Sequence, residues 1–146
     1  MSIKKEPKLS FFRPVLDSEI RIPLIKEGVS AGFPSPAIDF MENSIDLNKE
    51  LSKNPLATFY IKVKGNSMID AGINDKDVLV VDRSLEPQNN KIAICFIDGE
   101  FTVKRIQVEE DCLYLMPENP NYAPIKVTEE NQFIIWGIVT YVIKKV

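Results

Sequence analysis

The sequence predicts a mostly β domain: a curled, folded or barrel-like sheet with a short helix on its N-terminal side and an extended arm before it. Three observations carry that expectation. Phe59, Ile61 and Val63 alternate with Tyr60, Lys62 and Lys64, the two-residue period of a half-buried strand. Asp98-Gly99 stands between the apolar runs 92–97 and 101–103, the signature of a tight type I′ hairpin. Half of the ten prolines, Pro7, Pro14, Pro23, Pro34 and Pro36, fall in the first quarter of the chain, where no long helix can run through them. With 146 residues, 45% of them hydrophobic, the chain is long enough for one core and short for two.

The elements follow in order. Residues 1–31 hold six Lys/Arg and four Asp/Glu, a surplus of two positive charges, while 32–146 hold twelve against seventeen. This separates an N-terminal arm, 1–31, from an acidic domain, 32–146. Phe11, Phe12, Val15, Leu16, Ile20, Ile22, Leu24 and Ile25 make the arm apolar enough to dock in extended form on the domain or on a partner. Ser35-Pro36 provides an N-cap and first-turn proline, and Ile38, Met41 and Ile45 follow at helical spacing, so a short helix is expected there. Asp46 is placed to cap one further turn through Leu47 and Leu51, ended by Asn54-Pro55. Strands are then expected from Thr58, over 77–81, 91–97, 100–108 and 112–116, and over 133–143. Their inward positions nominate Phe59, Ile61, Leu79, Val81, Ile94, Phe96, Val103 and Trp136 as core.

Composition excludes several classes of function. A net charge of −3 without a sustained basic run argues against direct, sequence-specific DNA binding through the chain's own surface. The longest nearly apolar stretch, 133–143, is far below the roughly 18 to 20 residues that span a bilayer, and Arg13-Pro14 interrupts what a secretory signal would need. A cytoplasmic protein with no membrane attachment is expected. The chain contains no histidine, which removes a Ser-His-Asp triad, a Cys-His dyad and any His-bearing zinc site. Cys95 and Cys112 have no metal or redox spacing and read as reduced, structural thiols, so neither a metal nor a cofactor is expected.

What remains is a serine with an unusual base. Ser67 lies in Gly65-Asn66-Ser67-Met68, just beyond a strand end, where a bend can present its hydroxyl and leave backbone amides for an oxyanion; an ordinary turn has the same composition. Lys104 lies on the returning strand of the strong hairpin with Thr102 and Ile106 as alternation partners. Held against an apolar face, a lysine loses hydration and its neutral amine can accept a serine proton. Lowering it from about 10.4 to near 7 corresponds to roughly 4 to 5 kcal/mol. Snorkelling to solvent, or pairing with Glu100, is the structural alternative. Small residues flank the Ala31-Gly32 bond in Ser30-Ala31-Gly32-Phe33-Pro34, which suits a narrow cleft or a plain linker.

Taken in order, Ala31-Gly32-Phe33-Pro34-Ser35-Pro36, Gly65-Asn66-Ser67-Met68-Ile69-Asp70 and Asp98-Gly99-Glu100-Phe101-Thr102-Val103-Lys104-Arg105 resemble the LexA/UmuD-type Ser-Lys self-cleaving peptidases. The likeness covers nearly all of 31–146, including Ile45-Asp46-Leu47-Asn48 and the stretch 75–82. It implies the sheet-built peptidase domain of that family, with Ser67 as nucleophile, Lys104 as general base and then acid, and Ala31-Gly32 as the scissile bond. It further implies cleavage stimulated by a RecA filament on single-stranded DNA. The shortened homodimer would then serve a Y-family polymerase catalytic subunit in error-prone synthesis during the SOS response.

Asn66 stands where this family often has aspartate, and the arm has little likeness to the family beyond its length. A helix-turn-helix domain does not fit in 31 proline-interrupted residues, which argues against a complete repressor. Two other readings stay open: an interaction protein of the same fold that binds a polymerase without cutting itself, and a truncated LexA-like repressor core. A membrane signal peptidase with the same chemistry would need an anchor that the sequence lacks.

Overall fold

A computed structural model describes residues 9–15, 21–25 and 41–146, with only the backbone described for 21–25 and 41–44. The described chain is mostly strand: β1 (Ser10–Phe12), β2 (Arg21–Ile25), β3 (Met41–Asp46), β4 (Thr58–Lys62), β5 (Val78–Asp82), β6 (Ile92–Ile97), β7 (Glu100–Val108), β8 (Leu113–Met116), β9 (Ile125–Val127) and β10 (Phe133–Ile143). Eight of them form one sheet in the order β1-β4-β5-β10-β6-β7-β8-β9, and β2 pairs with β3 separately. Every described pairing is antiparallel. The sheet is open: its outer strands, β1 and β9, are not bonded to each other, so the mostly β expectation is met without closure into a barrel.

The hairpin that anchors this topology is the one expected. Ile97 pairs with Glu100, and Asp98 and Gly99 both take positive φ, 48° and 85°, as a type I′ turn requires. The long β10 lies between β5 and β6 and shifts register at Trp136 and again at Thr140. Gly137 sits where β10 passes close to β5: a Cβ there would lie 2.5 Å from Val81 Cγ1.

The helix expectation divides. Among the described residues one α-helix, α1 (Leu47–Leu51), forms, and it starts where Asp46 was expected to cap it, the Asp46 carboxylate accepting from the Asn48 N–H at 3.0 Å. The earlier helix through Ile38, Met41 and Ile45 is not formed over its second half, because Met41–Asp46 is strand β3, paired with β2. Pairing with a distant strand overrides helical spacing here, and Asn43 and Ser44 are poor helix formers that offer little resistance. Ser35, Pro36 and Ile38 lie outside the described residues.

The core divides into two clusters. Ile61, Val63, Met68, Ile73, Leu79, Val81, Ile94 and Val103 form one, and Ala93, Cys95, Ile106, Leu115 and Ile138 the other. Five of the eight nominated core residues, Ile61, Leu79, Val81, Ile94 and Val103, are buried, whereas Phe59, Phe96 and Trp136 are half-buried. These rings belong to an edge-to-face aromatic group, with Trp136 5.0 Å from Phe59 and Phe101 5.0 Å from Phe96. The apolar arm supplies Phe11 to the same group, because β1 lies along β4 with Phe11 opposite Ile61.

Asp82 ties the end of β5 to the segment after α1. Burial opposes its ionisation, but bonds from Asn54 Nδ2 at 2.8 Å, Ser84 Oγ at 2.6 Å and the Ser84 N–H at 2.8 Å outweigh burial and hold its carboxyl below the ordinary 3.8. A carboxyl depressed in the folded state contributes stability above its unfolded pKa and loses it as pH falls through the folded value. Asp82→Asn is therefore predicted to lower the urea midpoint clearly more at about pH 7 than in acid, the difference shrinking as falling pH titrates the wild-type carboxylate. Equal losses at both would remove the ionised bonds from the account.

Candidate functional site

β4 ends at Lys62, and the chain stays pinned beyond it: Val63 N–H donates to Asp77 at 2.9 Å, Val63 accepts from Lys76 at 2.8 Å, and Gly65 N–H donates to the Asp75 carboxylate at 2.7 Å. Gly65 takes φ 99°, a conformation that favours glycine, and so turns the chain into the bend that carries Ser67. Met68, 2% exposed, plugs the first core cluster and fixes that bend from below. Glu118 fixes it from the side. Its N–H donates to the Ser67 carbonyl at 2.8 Å and its carbonyl accepts from Asp70 at 2.8 Å, while Asn119 Nδ2 donates to the Asn66 carbonyl at 2.8 Å. The Glu118 carboxylate is itself held by Arg105 Nε at 2.5 Å, and Arg105 adjoins Lys104 on β7. The serine bend and the lysine strand are thus joined through one ion pair.

Lys104 is in the middle of β7 and has no exposed surface. Snorkelling is therefore excluded. Its backbone position faces Ala93 on β6 and, two residues before, Thr102 faces Cys95, so the aliphatic stem runs among small, buried neighbours. At the tip, Nζ lies 3.3 Å from Ser67 Oγ, 2.6 Å from Thr102 Oγ1 and 3.1 Å from the Val103 carbonyl. Burial disfavours the ammonium relative to the amine. A neutral amine has two hydrogens and one lone pair. Donation to Thr102 and Val103 leaves that lone pair for the Ser67 hydroxyl proton.

Among the described residues, the N–H groups of Ser67 and Met68 donate to no protein oxygen, so both are available to an oxyanion. A shallow crevice beside Ser67 is lined by Leu9, Val63, Gly65, Met68 and Thr102. A wider cleft, between α1 and β10 and bordered by Leu51, Leu85 and Tyr141, is lined by neither Ser67 nor Lys104. Two residues sequence reasoning singled out, Ala31 and Gly32, lie outside the described residues. Thr102, Glu118 and Arg105 were not singled out for the site. Thr102 carried a signal, since it precedes Lys104 by two on one strand face; Glu118 and Arg105 did not, because their link to Ser67 is made only by the fold.

Cys95 is buried and Cys112 half-buried, both as free thiols. Burial pushes the Cys95 thiol up to about 12, against a smaller opposite pull from Lys104.

Comparison with known proteins first defines the class. The Peptidase S24-like family matches residues 23–140, and the chain belongs to that family, a family of serine peptidases. The relatives then narrow it to the UmuD-like branch. Protein ImpA of Salmonella typhimurium is 41% identical over 135 residues, 88% of this chain and 87% of its own length. Protein SamA of the same species is 44% identical over 123 residues, 84% of this chain and 85% of its own. The LexA repressor of Bordetella pertussis is 34% identical over 139 residues, 94% of this chain but 62% of that repressor. ImpA and SamA are thus matched along most of their length, whereas LexA extends well beyond the match. No helix among the described residues is long and apolar enough to cross a membrane.

Two outcomes follow from the site. Thr102→Val removes an oxygen 2.6 Å from Nζ at constant volume. It should destabilise the fold by about 1 to 3 kcal/mol, read as a lower urea midpoint with unchanged slope. In native protein at about pH 8, iodoacetamide should spare Cys95 and modify it only after denaturation; rapid native labelling of Cys95 would contradict its burial.

Proposed function

We propose that this chain is a self-cleaving switch: Ser67 and Lys104 cut the bond between Ala31 and Gly32, separating 1–31 from the domain 32–146. The observation that carries this reading is the 3.3 Å separation of Ser67 Oγ from the Nζ of a fully buried lysine, in a chain without histidine. Neutral Lys104 removes the Ser67 proton as Oγ attacks the Ala31 carbonyl carbon, and the resulting oxyanion is met by the Ser67 and Met68 N–H groups. The protonated Nζ then gives its hydrogen to the Gly32 nitrogen, the C–N bond breaks, and an ester joins Ala31 to Ser67. Water, deprotonated by the same amine, hydrolyses that ester and restores the hydroxyl. Tethering supplies the substrate at high effective concentration, so positioning rather than affinity governs the rate.

Membership of the S24-like family and the UmuD-like relatives support placing this switch in SOS mutagenesis. In that setting the trigger is a RecA filament on single-stranded DNA, and the shortened product acts in the cytoplasm as a homodimer that assists a Y-family, UmuC-like polymerase subunit. No metal or other cofactor enters the chemistry.

Incubation of the purified chain at mildly alkaline pH, with intact mass as the readout, tests this directly. Fragments 1–31 and 32–146 should appear in the wild type and in neither Ser67→Ala nor Lys104→Ala, both of which should retain the wild-type circular dichroism. Gly32→Val, which crowds the attacked bond with a β-branched side chain, should slow the cut by at least about tenfold. If the wild type is silent alone, RecA, ATP and single-stranded DNA are added. Silence there too would favour a non-cleaving interaction protein of the same fold.

A further inference from the structure

We propose that β1 is an internal competitor for the sheet edge that the scissile segment needs, so that the arm's first strand holds the site in a latched state. This rests on the self-cleavage reading above and adds a step to it. A peptide bond presented to a nucleophile at a strand end is ordinarily held extended, by pairing its backbone with an exposed sheet edge. The strand that runs into the Ser67 bend is β4, and its free edge is covered by β1 through the pairs Ser10–Lys62, Phe11–Ile61 and Phe12–Tyr60. The antiparallel register sets Ser10 beside Lys62, at the bend end of β4, and Leu9, one residue earlier, lines the crevice that Ser67, Gly65 and Thr102 border. The position open to an incoming extended segment is therefore filled by residues 9–12.

The latch has a definite anchor. The Phe11 ring meets Phe101 at 4.9 Å and Trp136 at 5.1 Å, both edge-to-face. The Arg13 guanidinium lies 4.8 Å from the centre of the Phe59 ring, and both Leu9 and Phe11 pack on the first core cluster. Three ladder positions alone are a weak strand, so the aromatic insertion is what gives β1 its hold. Because latch and scissile bond belong to one chain, their competition is intramolecular. It is set by the strength of this anchor rather than by protein concentration.

The test uses the full-length chain and an active-site reagent, diisopropyl fluorophosphate, which reports access to Ser67 whether or not Ala31-Gly32 is cut. Ser67 Oγ displaces fluoride at phosphorus and its proton leaves through Lys104, adding a defined mass absent from Ser67→Ala. Phe11→Ala should label about tenfold faster than wild type, the effect of losing one half-buried aromatic anchor. Leu9→Ala should label faster too, and β4 amides should exchange faster in both variants. Leu9→Ala keeps the test valid should Phe11→Ala misfold by circular dichroism. Equal or slower labelling in the folded variants would overturn the latch. Self-cleavage followed in the same samples separates the two ideas. Faster labelling without any loss of 1–31, also after RecA, ATP and single-stranded DNA are added, sustains the cover over Ser67 and defeats the self-cleavage reading. Self-cleavage in wild type with unaccelerated labelling and cutting in Phe11→Ala does the reverse. If no chain labels at all, the Ser67 nucleophile fails and the latch over it fails with it.

Discussion

The complete burial of Lys104 is the constraint on which the rest of the site depends. A lysine tip removed from water is expensive as an ammonium unless oxygens meet it, and here Thr102, Val103 and Ser67 do so within 3.3 Å. Only a central position on a wide sheet provides such a place. β7 is flanked by β6 and β8, and the residue opposite Lys104 is Ala93, small enough to leave room for the stem. The same dryness that taxes the charged form favours the form able to take a proton. Stability and reactivity are thereby coupled at one atom, and the Thr102 hydroxyl serves both.

A buried base is useful only if the nucleophile is held against it from outside the strand, and the serine bend shows how. Gly65 sets the direction, Met68 sinks into the core, and the Glu118 backbone takes the Ser67 carbonyl while its carboxylate reaches Arg105. The ion pair is a surface one, worth little as stabilisation. Its role is geometric, since it joins the segment that holds Ser67 to the strand that holds Lys104. The arm adds a further layer of control. On the proposed reading, the edge beside this assembly is a single resource, and an arm that both supplies the scissile bond and covers that edge would make the resting protein stable toward its own chemistry.

Much of this was legible in the residues. The β7 bounds, the Asp98-Gly99 turn and the β10 run are local patterns, and they appear where periodicity placed them. The Asp46 cap is equally local. What escaped reading depends on distant partners: β1 is three residues whose strand character comes from β4, β2 contains Pro23, and β3 abandons helical spacing to pair with β2. At the site, alternation grouped Lys104 with Thr102 and Ile106 on one strand face, left open whether its tip reached solvent, and gave no means of bringing it to Ser67, 37 residues away. Resemblance to the Ser-Lys family supplied that pairing as an expectation, and the fold supplies the distance. Glu118 and Arg105 had no sequence signature, because an ion pair that fastens a loop to a strand looks like any two surface charges.

The central claim is that the amine of Lys104, in its neutral form, is the base for Ser67. The pH dependence of self-cleavage in the wild-type chain tests it most directly, with first-order loss of intact mass followed from neutral to alkaline pH at constant ionic strength. The account predicts a rate that climbs as the amine sheds its proton and then levels, over a range in which circular dichroism shows the fold unchanged. A rate that is flat or falls across that range would contradict it.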